Sequence, residues 1–230
     1  MTNPTKLTRN QMAWRVAQDI PCGAVVNLGI GLPELVANHV AVDQEVIFHS
    51  ENGILGMGAV ADTGMEDFDL ISAGKKPVTV VPGAAYFDSA LSFAMIRGGH
   101  IDIAVLGAFQ VSHFGDLANW STDDPHITPA VGGAMDLASG AKQVFVLTTH
   151  TTQDGMPKII ESCTYPLTGA RVVGTIFTDL AVIDLGEEGP FVREMISGMD
   201  INTLQSQSGT KLTLDPKCSV LKTSLTFGRF

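Results

Sequence analysis

Positive charge is scarce in this sequence. Lysine and arginine number 14 against 24 aspartates and glutamates in 230 residues, a formal net charge of -10. That excess argues against a nucleic-acid surface, which needs a basic patch to displace counterions. A phosphate-bearing ligand would have to be met by local lysines or backbone amides rather than by the global field. The three cysteines, Cys22, Cys163 and Cys218, are scattered and odd in number, so neither a disulfide framework nor a zinc spacing follows. The six histidines never fall two or four apart on one predicted element, and no metal site is expected. No uninterrupted apolar run is long enough to span a bilayer. Met1-Thr2-Asn3-Pro4-Thr5-Lys6 lacks the apolar core of a signal peptide, and the expectation is a soluble, cytoplasmic protein. Ser50 and Ser89 lack the G-x-S-x-G elbow, which turns the reading away from a serine hydrolase.

What the chain has in quantity is apolar residues. They make up 45% of it, with only 17% charged, so a full core is expected and part of the surface should be covered by a partner. Thr8-Arg9-Asn10-Gln11 fits a capping box, and Met12, Ala13, Val16, Ala17 and Ile20 follow at helical spacing up to Pro21. Ala24 to Leu28 reads as a buried strand, Pro33 to Val40 as a helix begun by proline, and Glu45 to His49 as a second strand. Asp62 to Asp69 reads as an acidic loop, Pro77 to Val81 as a strand, and Phe87 to Ile96 as a helix broken by Gly98-Gly99. Further strands are expected at 101–106, 143–147, 171–177, 180–185 and 191–195, with a short helix at 201–207. A long polar stretch surrounds Trp120 to Thr128.

Strands alternate with helices in the first half and dominate the second. The pattern predicts an α/β fold: a three-layer open sheet, mostly parallel with antiparallel additions, in one domain. No internal repeat, low-complexity tract or linker divides it. Asp215 to Phe230 carry little pattern and read as a tail or as a strand lent to a partner.

The chemistry concentrates at Ser50-Glu51-Asn52-Gly53-Ile54-Leu55-Gly56-Met57-Gly58, which leaves the apolar run Val46-Ile47-Phe48. A strand giving way to a glycine-rich turn is where ligands bind in open α/β sheets, and glycines let backbone approach a ligand closely. A Glu there reads as a nucleophile, as a base, or as an ordinary residue of a solvated turn. Gly29-Ile30-Gly31 superficially resembles a dinucleotide turn but lacks the third glycine and the acidic strand end. It reads better as amides that could hold an anion or a polarised carbonyl, with Asn27 adding a side-chain donor. Gly132-Gly133, before an expected helix, could form an oxyanion hole or simply a close-packed helix entry. Lys75, in Ser72-Ala73-Gly74-Lys75, reads as a phosphate contact or a plain surface lysine.

Together these segments resemble the B (β) subunit of the family I 3-oxoacid CoA-transferases. The resemblance rests on Val26-Asn27-Leu28-Gly29-Ile30-Gly31-Leu32-Pro33, Ser50-Glu51-Asn52-Gly53, Ala73-Gly74-Lys75, Phe93 to His100, Gly115 to Trp120 and Gly132 to Leu137. It runs from about Leu7 to Leu214 and implies a CoA-transferase (NagB/RpiA-like) domain over residues 1–214, leaving 215–230 as a C-terminal extension. It also implies that Glu51 is the nucleophile, with Asn27 and the Gly133 amide as oxyanion donors. Gly29, Gly31, Asn52, Gly53, Lys75 and Gly132 would meet the CoA substrate. Coenzyme A would serve as substrate and covalent intermediate, with no tightly bound cofactor. The partner would be a separate A (α) subunit, the two kinds of chain forming a heterotetramer, with acyl-CoA and a 3-oxoacid as substrates.

Gly107 to Ser112, Ile127 to Gly133 and Cys163 to Gly169 look like the 3-oxoadipate enzymes, whereas Pro82 to Ser89 look like the acetoacetate type. The expected acceptor is 3-oxoadipate with succinyl-CoA as donor, and acetoacetate is the alternative. A dicarboxylate acceptor would want a cation for its far carboxylate, which Asp88 does not supply. Readings from other classes are a non-catalytic ligand-sensing domain, a sugar-phosphate isomerase of related fold, and a CoA-ester hydrolase.

Overall fold

The computed structural model describes residues 4–223 apart from 123–125, 127 and 130. Part of the polar stretch around Trp120 to Thr128, Ile127 and Ala130 of the 127–133 block, and residues 224–230 therefore lie outside the described residues.

The capping box forms as its residues dictate. The Gln11 N–H donates to the Thr8 hydroxyl, and the Thr8 N–H donates to the Gln11 side-chain carbonyl at 2.8 Å. The helix it starts, α1 (Arg9–Ala17), buries Met12, Ala13, Val16 and Ala17. Arg15 on the same helix is buried too, forked between Asp19 and Glu194 at 2.6 Å each. A guanidinium suits this position because its planar donors engage two carboxylates at once.

Ten strands form one sheet. In chain order they are β1 (Val25–Leu28), β2 (Ile47–Ser50), β3 (Ile54–Val60), β4 (Val78–Tyr86), β5 (Ile103–Leu106), then β8 (Gln143–Leu147), β10 (Thr175–Phe177), β11 (Ala181–Gly186), β12 (Gly189–Met195) and β13 (Thr213–Val220). The intervening β6 (Gln110–Ser112), β7 (Leu117–Ala118) and β9 (Ile159–Ile160) make a separate three-stranded sheet in the order β7-β6-β9. The large sheet runs β13-β12-β11-β10-β8-β5-β1-β2-β3-β4. Its centre, β10-β8-β5-β1-β2, is parallel throughout. Antiparallel pairs β2-β3-β4 and β10-β11-β12 extend it on either side. This is the expected α/β open sheet with antiparallel additions. The central strands are apolar and almost wholly buried, as parallel strands covered on both faces must be.

Helices are few and short. Besides α1 there are α2 (Ser89–Arg97), α3 (Ala134–Gly140) and α4 (Ile201–Ser206). The segment expected as a helix after Pro33 is a 3₁₀ helix, Pro33–His39, packed against α1. Asp88 is the N-cap of α2, its carboxylate accepting from the Leu91 N–H at 2.8 Å. That explains an acidic residue here without any substrate.

The small sheet β7-β6-β9 has no counterpart in the sequence reading, and within the large sheet two strands depart most from it. The glycine-rich stretch after Glu51 turns only through Asn52 and Gly53, and then becomes β3. Its glycines serve packing: Gly56, at φ 85°, sits at a register shift against β4, and a Cβ at Gly58 would collide with the Thr79 hydroxyl. The second is β13, which pairs parallel with the chain's own β12 and carries the sheet edge across residue 214 to Val220. Pro216 is tolerated there because an edge strand has one unpaired side.

Candidate active site

Glu51 stands where β2 ends. The turn closes through the Gly53 N–H, which donates to the Ser50 carbonyl at 2.9 Å. Gly53 lies at φ 118°, and a Cβ there would run into the Phe87 carbonyl oxygen, so only glycine fits. Asn52 donates its side-chain amide to the Ile71 carbonyl at 2.7 Å, and the Ser50 hydroxyl accepts from the Ala73 N–H at 3.0 Å. These bonds clamp the loop carrying Lys75 against the Glu51 turn. Lys75 itself is exposed at φ 62°, beside Lys76, which pairs with Glu34 at 2.6 Å.

β1 runs parallel to β2 with Asn27 opposite His49. Asn27 is completely buried, and its amide nitrogen donates to Glu51 Oε2 at 3.1 Å and to the His49 carbonyl at 3.2 Å. The same nitrogen lies 3.0 Å from His49 Nδ1, and His49 Nε2 lies 2.9 Å from Ser92 Oγ on α2. Burial pushes the His49 pKa from 6.5 down to about 4, so the ring is neutral near pH 7. The network assigns its proton to Nε2, facing Ser92, and leaves Nδ1 facing the Asn27 amide. Asn27 Oδ1 is buried with no hydrogen-bond partner among the described residues. Turning the amide over would set that oxygen against both the Glu51 carboxylate and the His49 carbonyl. The orphan acceptor is what it costs to aim a donor at Glu51.

Gly133 closes the other side. A Cβ there would come within 3.4 Å of Glu51 Cγ and 3.3 Å of the Phe93 ring. The backbone N–H groups of Gly132 and Gly133 donate to no described residue. Gly29 and Gly31 differ: the Gly29 N–H donates to the Val105 carbonyl at 2.8 Å, and the Gly31 N–H to Glu34 Oε2 at 3.0 Å. Their turn shapes a wall and has no glycine N–H left for an anion.

Glu51, Gly29, Gly132 and Gly133 line a cavity of about 520 Å³ at the carboxyl ends of β1, β5 and β8. Of the residues named from sequence, the fold gathers Glu51, Asn27, Gly29, Gly132 and Gly133. The sequence reading missed His49 and Ser92, whose only signal is a polar side chain inside an otherwise apolar element. It also missed Lys158, which lines the same cavity. Among the described residues no group of three or more His, Cys, Asp or Glu could hold a metal ion. No described helix is long and apolar enough to cross a membrane.

Residues 9–207 match the family model described as Coenzyme A transferase. A Pseudomonas putida protein, named as the B subunit of 3-oxoadipate CoA-transferase, is 57% identical over 212 residues, covering 92% of this chain and 99% of that one. A Helicobacter pylori protein, named as the B subunit of succinyl-CoA:3-ketoacid coenzyme A transferase, is 47% identical over 200 residues, covering 87% of this chain and 96% of the other. Among solved structures, an acyl-CoA transferase from Escherichia coli O157:H7, described as a thioester complex with CoA, superimposes with a TM-score of 0.73 at 20% identity. That match covers 96% of this chain and 44% of the longer E. coli chain, and it speaks for the fold.

Proposed function

The chain belongs to the coenzyme A transferase family, and from that premise we propose that it is the B subunit of a 3-oxoacid CoA-transferase carrying CoA on Glu51. In this reading the donor is succinyl-CoA, the favoured acceptor is 3-oxoadipate, and a separate A subunit completes a heterotetramer.

The observation that carries the mechanism is the placement of Glu51 between the Asn27 amide and the Gly133 backbone. A Glu51 oxygen attacks the thioester carbonyl, the C–S bond breaks, and CoA leaves as the thiolate. The product is a mixed anhydride of Glu51 and the acyl group. The thiolate then attacks the glutamyl carbonyl carbon, the anhydride C–O bond breaks, and the first acid departs as its carboxylate. Glu51 now carries CoA as a thioester, and the second acid runs the same steps in reverse.

Each attack develops an oxyanion, but on different atoms. In the thiolate step the negative charge grows on a glutamyl oxygen, and the Asn27 amide already donates to Glu51 Oε2. In the acyl step it grows on the substrate carbonyl, for which the Gly132 and Gly133 N–H groups are unspent. Separate donors therefore serve the two successive oxyanions. Asn52 and Gly53 fix the turn that presents Glu51, Gly29 and Gly31 shape the wall beside it, and Lys75 meets the CoA moiety from the clamped loop.

The test is to incubate the assembled enzyme with succinyl-CoA and trap with borohydride or hydroxylamine. Modification should fall on Glu51 alone, and an unmodified Glu51 in an enzyme that turns over would refute the mechanism. Acetoacetate is the second reading for the acceptor, favoured by the Pro82 to Ser89 stretch. Rates with 3-oxoadipate and acetoacetate, measured side by side, decide between them.

A further inference from the structure

Lys158 is a cation of the kind a dicarboxylic substrate needs, and the fold brings it into the cavity from a distant part of the chain. It lies immediately before β9, where its N–H donates to the His150 carbonyl at 3.1 Å and its carbonyl accepts from the Val111 N–H at 2.8 Å. The backbone is thus fixed on both sides. The side chain runs into the cavity that holds Glu51. Its ammonium donates to Thr148 Oγ1 at 2.9 Å and reaches the Ala108 carbonyl at a long 3.4 Å. An ammonium has three N–H donors, so at least one is left for a ligand.

No carboxylate pairs with this ammonium among the described residues. Asp179 is the carboxylate that bears on it electrostatically, but Asp179 is engaged by Lys6 at 3.1 Å and by the His150 N–H at 2.7 Å. Partial burial lowers the Lys158 pKa from 10.5, the direction expected of a cation short of an anionic partner. Of the described residues lining the cavity, Lys158 and Arg9 are the only cations and Glu51 the only carboxylate. Arg9 is exposed on the first turn of α1.

The topology sets the span. Glu51 leaves the end of β2 with its carboxylate reaching Asn27 on β1, whereas Ala108 and Thr148 follow β5 and β8, two and three strands from β2. Neighbouring strands lie about 5 Å apart, so the backbones that carry the nucleophile and anchor the ammonium stand roughly 10–15 Å apart, a gap that the two side chains narrow from either side. An extended four- to six-carbon acyl chain ending in a carboxylate bridges such a gap. We propose that Lys158 binds the distal carboxylate of dicarboxylic acyl groups while their thioester end sits at Glu51, and so selects diacids over monoacids. The assignment rests on the reading of Glu51 as nucleophile. In a chain of net charge -10, a dianionic acid gains nothing from the global field and depends on such a local contact.

The test uses the assembled two-subunit enzyme carrying Lys158→Met, which keeps the length of the side chain and removes its charge. Single-turnover loading of CoA onto Glu51 is followed by intact-mass spectrometry with succinyl-CoA and with butyryl-CoA, which differ in the distal carboxylate. The preference for succinyl-CoA, as a ratio of kcat/KM values, should fall by about 10- to 100-fold, with the butyryl-CoA rate little changed. Lys158→Arg should recover a large part of the preference, and free succinate should lose potency as an inhibitor of Lys158→Met while butyrate does not. Equal losses for both thioesters, or an unchanged ratio, would overturn the assignment. A variant that fails to assemble leaves Lys158→Arg to decide, since a retained charge that gives no diacid preference also overturns it. If the wild-type enzyme turns over without any Glu51 thioester, it is the nucleophile reading that fails, which the same mass spectra distinguish.

Discussion

Two glycine turns line the same cavity, and their backbone N–H groups have opposite fates. At Gly29-Ile30-Gly31 both glycine amides are committed within the chain, to Val105 and to Glu34. At Gly132-Gly133 neither amide has a described partner, and a Cβ at Gly133 would touch Glu51. In sequence the two look alike, each a glycine pair between a strand and a helix or just before one. What separates them is where the neighbouring chain lies: β5 runs alongside the first, and Glu34 folds back onto it. Glycine content licenses close approach, but only the local hydrogen-bond inventory decides whether a donor is free.

The largest expected effect tests the residue that both turns surround. Glu51→Gln should reduce turnover by at least about 10⁴-fold, the loss typical of removing a nucleophile, with the unfolding midpoint nearly unchanged because the swap is close to isosteric. Steady-state assay and denaturant titration of the same preparation read both. Next comes the turn with free amides. Gly133→Ala should fold, since Gly133 sits at φ -85°, but its methyl would crowd Glu51 and Phe93 and lower kcat by roughly 10²-fold. A Gly133→Ala enzyme with full kcat would break the distinction between the turns.

The buried side of the site carries its own signature in acid. His49 and His150 are both held neutral by burial, each with its pKa lowered from 6.5 to about 4. Between these values the unfolded chain binds protons that the folded chain excludes, so stability present above pH 6.5 is lost as pH falls toward 4. At pH 5 the loss should be on the order of 1–2 kcal/mol per histidine, seen as a lower urea midpoint than at pH 7. A midpoint flat over this interval would show that neither ring is held neutral.

The turn with spent amides should answer in stability and not in rate. Gly31 lies at φ 91° with open space where a Cβ would go, so Gly31→Ala should cost about 1–2 kcal/mol of stability through backbone strain. Its kcat should stay within about twofold of wild type, because no reacting atom meets the turn's amides. The smallest effect is expected at Lys75→Ala: a rise of a few-fold in KM for acyl-CoA, on the order of one exposed ion pair, at unchanged kcat.

Much of the sheet was legible because its central strands are short apolar runs bounded by glycine and polar residues. β8 coincides with the expected 143–147, and β5, β11 and β12 lie within two residues of their predicted starts. β3 was not legible, since glycines at 53, 56 and 58 look like a loop and only the packing of β4 explains them. β13 was not legible either, because an exposed edge has no buried face to impose alternation. At the site, Glu51 and the Gly133 turn stood out by residue type and neighbours. His49, Ser92 and Lys158 did not, since their roles join residues far apart in the chain: His49 meets Ser92 across 43 positions, and Lys158 meets Ala108 across 50.

By itself the sequence determined the class of fold and the family resemblance, and it singled out the carboxylate proposed as nucleophile, because these depend on local composition, periodicity and short motifs. The tertiary structure alone decided which glycine amides are free, that Asn27 is aimed at Glu51 by a buried histidine, and that a lysine without an ion-pair partner shares the cavity. Those are matters of hydrogen-bond pairing across the sheet, and a donor's availability is fixed only once every distant acceptor has found its place.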